Sequence, residues 1–101
     1  MQYIITAYDG TDEKALDRRL AAREDHLNGV EERFAKGEHL YGAALLDDDG
    51  KMIGSVIVVD YPSRVELDEW LKVEPYVVKD VWHKIDIQPC KVAPTFMELY
   101  K

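Results

Sequence analysis

The chain has 101 residues, 47% hydrophobic and 33% charged, with a net charge of −7, which suits one domain, residues 1–101, around one modest core. No apolar run approaches the roughly 18 residues that cross a bilayer, and no basic-then-apolar leader opens the chain. The 13 Lys and Arg are scattered among 20 acids rather than clustered against phosphates, so the expectation is a cytoplasmic protein that engages neither membrane nor nucleic acid.

Residues 2–8, QYIITAY, are rich in β-branched and aromatic types and read as a strand. The turn DGTDE ends it, with Thr11 or Asp12 able to cap the first helical turn. A helical period then runs to about Lys36, with Leu16, Leu20, Leu27, Val30 and Phe34 in one apolar stripe, and Gly37 supplies the stop. Gly29 interrupts this helix, either to let another element come close or as a tolerated cost.

Two strands follow around Asp49-Gly50, a strong hairpin signal. Asp47, Asp48 and Asp49 read as a solvated tip, because no calcium-loop ligand set continues from them. Pro62-Ser63 breaks the second of these strands, and Ser63 can cap a second helix whose apolar side is Val65, Leu67, Trp70 and Leu71. Pro75 disfavours the α-region at Glu74, so that helix ends there and a short turn begins. A fourth strand follows, with Val81, His83, Ile85 and Ile87 on its apolar face. The tail, residues 93–101, carries Phe96, Met97, Leu99 and Tyr100 and is expected to dock on its own or a partner subunit. Cys90 stands alone; no disulfide, metal or cofactor signature is present, and the residue reads as packing material.

The order βαββαβ is the α+β ferredoxin-like arrangement, a four-stranded antiparallel sheet with helices on one face. The opposite face is apolar enough to need a cover, which a second subunit would supply.

His26 sits about 100° from the centre of the helical stripe, at the border where a helix edge can line a cleft. Arg19 and Arg23 precede it along that edge. One reading is a boundary histidine with solvated arginines. The other is an imidazole oriented by a carboxylate, able to act as acid or base near neutrality. The Glu74 turn lies on the same side of the sheet and is the candidate partner.

The pieces Arg23, His26 and Leu27; Gly37, Leu40, Gly42 and Ala43; Gly54 and Ser55; Glu74, Pro75, Tyr76 and Val77; and Val81 through Pro89 together resemble the YciI-like, or YCII-related, family over nearly the whole chain. The resemblance implies a dimeric α+β barrel similar to muconolactone isomerase, in which two sheets face each other with pockets near the helix edges. It also implies a His-Asp pair at the active site, with a dehydrochlorinase of chlorinated hydroxyquinols among the members assigned a reaction. His26 matches the family histidine, and Glu74 stands where the family usually has Asp. The glutamate keeps the charge and adds one methylene.

The expected function is cofactor-free proton transfer of lyase, isomerase or dehydrochlorinase type. His26 and Glu74 would be catalytic, and Arg23, Ser55 and Tyr76 would bind a small anionic or phenolic molecule, in a homodimer or higher oligomer. The alternative is a non-catalytic dimeric binding protein using the same pocket. Ser55 and Tyr76 also have plain packing roles open to them, His39 reads as surface, His83 as a core histidine, and Trp70 and Trp82 as core and interface bulk.

Overall fold

Residues 1–100 are described in a computed structural model of the chain. In chain order they form β1 (Gln2–Asp9), α1 (Ala15–Ala35), β2 (His39–Leu46), β3 (Met52–Asp60), α2 (Arg64–Leu71), α3 (Pro75–Val78) and β4 (Trp82–Cys90). A short α4 (Pro94–Met97) and a 3-10 turn (Glu98–Tyr100) follow. The strands make one antiparallel sheet in the order β2-β3-β1-β4, the ferredoxin-like α+β fold that the element order implies.

Alternation along the strands builds the core. Tyr3, Ile5 and Ala7 of β1 pair with Val59, Ile57 and Ser55 of β3, and these side chains face the helices. Leu67 and Trp70 of α2, Tyr76 of α3 and Ala22 of α1 close over them. Burying a side chain such as Ile5 or Leu67 contributes about 1.5–3 kcal/mol. Gly54 marks the tightest approach of β3 to β1: a Cβ there would lie 2.4 Å from the Ala7 carbonyl oxygen. The opposite face of the sheet presents Ile4, Val56 and Val58, with Tyr41 63% exposed beside them.

The tail runs along the edge of that opposite face. Gln2 accepts from the Val92 backbone N–H at 2.6 Å, and its amide lies 3.6 Å from Met97 Sδ. The Tyr100 hydroxyl donates to the Leu40 carbonyl. Phe96 and Leu99 remain exposed, and Lys101, the end of the 93–101 tail, lies outside the described residues.

Several local expectations change. The face of α1 turned to the sheet is Ala15, Arg19, Ala22 and His26, while Leu20, Leu27 and Phe34 are exposed. The helix is thus rotated about 100° from the orientation its leucines suggest. The two alanines let it approach the sheet closely; Arg19 finds its partners on the strands, and His26 finds its own at Glu74 in the turn before α3. Val65 is likewise exposed. Neither Thr11 nor Asp12 holds the helix N-cap position: that position is Lys14, whose backbone N–H donates to Asp12 Oδ2 at 3.2 Å. Ser63 does precede α2, but its hydroxyl bonds Glu66.

Two register shifts re-aim two histidines. A bulge where β1 meets β4 sets Asp9 opposite Trp82 and Tyr8 opposite Lys84. The extra residue is His83, which turns out to solvent rather than into the core. A second bulge in β2 sets His39 opposite Val59 but Tyr41 opposite Val58. His39 therefore points to the helix side and is 2% exposed, not a surface residue. Extra residues of this kind change which face a side chain occupies.

Among the described residues no helix is long and apolar enough to cross a membrane, and no cluster of His, Cys, Asp and Glu has the makings of a metal site.

Candidate active site

The site is built from the short turn before β4. Pro75 occupies the first position of α3 and holds Glu74 in extended backbone at φ −62, ψ 125. Glu74 is thereby the N-cap of α3, and its Oε1 accepts from the Tyr76 backbone N–H at 3.3 Å, a cap contribution of about 1 kcal/mol. The cap aims the carboxylate at α1. There Oε1 also bonds His26 Nδ1, and Oε2 accepts from Arg33 Nη2 at 3.4 Å. The Glu74 side chain is fully buried and that of His26 is nearly so. In a neutral ring, a carboxylate at Nδ1 selects the tautomer with the proton on Nδ1.

Arg19, His26 and Arg33 recur at seven-residue spacing on α1, which places them along one side of the helix. The Tyr76 ring enters between the first two. It stacks on the His26 imidazole at 4.0 Å between centroids, and the Arg19 guanidinium lies 4.7 Å from its centre. Arg33 stacks on Trp70 at a similar distance, 4.7 Å. Burial pushes the Tyr76 phenol above its ordinary pKa, with the Arg19 and Arg23 charges opposing.

Arg19 is buried and bonds both Asp9 oxygens at 3.0 Å. Burial raises the Asp9 carboxyl above the usual carboxylate range, and the Arg19 charge pulls it partly back. Arg19 Nη2 also donates to Ser55 Oγ at 2.9 Å, and the Trp82 indole donates to the same oxygen at 3.3 Å. Both lone pairs of that hydroxyl are then in use, so its own proton is the part that can be offered to a ligand.

These groups border a cavity of about 240 Å³ between α1 and the β2–β3 half of the sheet. His26, Ser55, Tyr76, Arg19 and Arg23 line it. Arg23 is exposed at the mouth, whereas Tyr76 is 1% exposed and acts first as the ring that holds His26 in place. Glu74 stands behind His26 rather than on the cavity wall. The five residues singled out from the sequence thus meet in one place.

Four further residues belong to the site. Asp9 and Arg33 are the charge partners of Arg19 and Glu74, and Trp82 holds Ser55. His39 lines the cavity from β2; burial, reinforced by the Arg33 charge, lowers its pKa to about 4. The seven-residue recurrence of Arg19, His26 and Arg33 was the available signal for the arginines. His39 gave none, because its orientation depends on the β2 bulge.

The YCII-related domain profile matches residues 1–91. Protein YciI of Shigella flexneri is 27% identical over 97 residues, covering 90% of this chain and 97% of that protein. Among solved structures, 5-chloro-2-hydroxyhydroquinone dehydrochlorinase from Burkholderia phenoliruptrix, in complex with 2,5-dihydroxybenzoquinone, superposes with a TM-score of 0.78. It is 20% identical over 94% of this chain and 98% of its own. An antibiotic biosynthesis monooxygenase shares the fold at a TM-score of 0.54 and 18% identity, over 93% of this chain and all of its own. With its fold, its described site and this match over nine-tenths of its length, the chain belongs to the YCII-related domain family.

Proposed function

We propose that the protein is a cofactor-free enzyme of lyase or isomerase type, acting by proton transfer on a small anionic or phenolic substrate. The observation that carries this reading is the buried bond between His26 Nδ1 and Glu74 at the wall of the cavity. It leaves Nε2 to take a proton from a carbon next to a carbonyl or enol. The electron pair moves toward the oxygen. The proton then returns to a neighbouring atom, or a leaving group such as chloride departs and the double bond remains. Arg23 at the mouth supplies the positive charge that holds an anionic or phenolate oxygen, and the Ser55 hydroxyl supplies a neutral donor. Tyr76 fixes the plane of the imidazole. The likeness to a dehydrochlorinase structure supports this class of reaction by analogy.

The working form is proposed to be a homodimer through the open sheet face. Ile4, Val56, Val58 and Tyr41 lie there, and an apolar hollow of about 380 Å³ opens between the sheet and the tail. Pairing of two such faces would give the barrel.

The test is binding of 2,5-dihydroxybenzoquinone by calorimetry, with chloride release from 5-chloro-2-hydroxyhydroquinone as the measure of turnover. The expected result is release by the wild type, and a loss of about 10²–10⁴-fold in His26→Ala with the circular dichroism spectrum kept. Tight quinone binding without chloride release would make the protein a binding module, and release that survives His26→Ala would remove the proposed mechanism.

A further inference from the structure

The cavity has a second imidazole, and its surroundings differ from those of His26. His39 comes from β2, on the sheet side of the cavity, whereas His26 comes from α1. His39 is 2% exposed, and its Nδ1 is sealed from solvent with no hydrogen-bond partner among the described residues. Its Nε2 faces Gly42, also a cavity residue: a Cβ at Gly42 would lie 3.3 Å from that nitrogen.

The charged and titratable groups facing His39 are Arg33 and His26 of α1 and Glu74 at the start of α3. Glu74, the single carboxylate among them, already bonds both Arg33 and His26. A proton on His39 would add a second buried cation beside Arg33 with no carboxylate of its own. Burial and the Arg33 charge accordingly keep it neutral well below neutral pH.

A neutral imidazole holds one N–H and one lone pair. Leaving a lone pair unpartnered in a sealed position is tolerated better than leaving an N–H there. The sealed Nδ1 therefore takes the lone pair, and the proton sits on Nε2, at the cavity edge beside Gly42. The two histidines then carry opposite tautomers. His26 presents a lone pair to the cavity, and His39 presents a donor.

We propose that His39 is a second catalytic residue, donating from Nε2 to the carbonyl oxygen of the substrate while His26 removes the neighbouring proton. The proposal rests on the proton-transfer reading above and narrows the substrate class to small molecules with a carbonyl, or its enol, next to an acidic C–H. As the C–H proton passes to His26 and its electron pair moves to oxygen, the His39 N–H stabilises the resulting enolate without surrendering its proton. A neutral donor matches this task, because it can polarise a carbonyl without first being charged. Gly42 belongs to the same device, since any side chain there crowds the donor.

The test combines nitrogen NMR of the free protein with calorimetric titration of 2,5-dihydroxybenzoquinone, a dicarbonyl probe. At pH 7 the His39 ring is expected as the neutral Nε2–H tautomer, with the Nε2–H resonance shifting when the quinone binds. His39→Leu is expected to weaken quinone binding about tenfold, and His39→Gln, which keeps a donor, by no more than about threefold. Gly42→Ala, which leaves His39 in place, should weaken binding in the same direction as His39→Leu.

An Nδ1–H or doubly protonated His39 ring overturns the proposal. So does wild-type affinity in both His39→Leu and Gly42→Ala while Arg23→Ala loses binding; that outcome leaves the His26 reading standing. Failure of the wild type to bind the quinone at all would overturn both readings together.

Discussion

One carboxylate organises the charge around His26. Glu74 bonds His26 through one oxygen and Arg33 through the other. The Asp9–Arg19 pair is a separate buried ion pair, and it can be tested without touching the His26 bond. Removing one partner of such a pair strands the other charge. Asp9→Ala is expected to destabilise the fold by about 3–5 kcal/mol in urea denaturation, and the double variant Asp9→Ala with Arg19→Met to recover much of that loss. A loss under about 1 kcal/mol in the single variant would show that water reaches Arg19 freely. His26 and Glu74 were legible as candidate partners because a proline places the glutamate at the start of a turn. Asp9 was not, because an acid at a strand end looks like any turn residue until a helix brings an arginine over it.

At the scale of elements, α1 shows where hydrophobic periodicity misleads. Its leucine stripe is real, yet the sheet receives Ala15, Arg19, Ala22 and His26. Periodicity scores an arginine as solvent-facing, although a guanidinium satisfied by Asp9 and Ser55 and stacked on Tyr76 can lie buried. The strands and the hairpin were readable from β-branched runs and from Asp49-Gly50, since both depend on local chemistry. The two bulges were not, and they sent His83 outward and His39 inward. The tight β1–β3 contact at Gly54 gives an element-scale prediction. Gly54→Ala would press a methyl against backbone rather than a mobile side chain, and is expected to cost about 1–3 kcal/mol or more, read as a lowered Tm. An unchanged Tm would mean that the strands can separate at that point.

For the whole molecule, acid sensitivity follows from His39. Its folded pKa of about 4 lies below the ordinary 6.5, so above pH 6.5 both folded and unfolded forms are neutral and the full stability is present. As pH falls from 6.5 toward 4, the unfolded chain takes a proton that the folded chain resists. Stability then drops, by up to ~3 kcal/mol. Urea titrations between pH 7 and pH 4.5 should show this decline in the wild type and a flatter profile in His39→Gln; parallel profiles would refute the assignment. The open sheet face predicts assembly. Val58→Asp is expected to give a monomer by light scattering with its helical signal kept, and a persistent dimer would move the interface elsewhere.

Trp82 touches the site from the side. Its ring meets the His26 imidazole edge-on at 6.0 Å, and its indole N–H reaches Ser55. The only other tryptophan, Trp70, lies against Arg33. The chain therefore contains its own optical reporter: with Trp70 replaced by Phe, the emission of one indole would register the arrival of any quencher in the hollow. Occupants could then be screened by light alone, before a reaction is known.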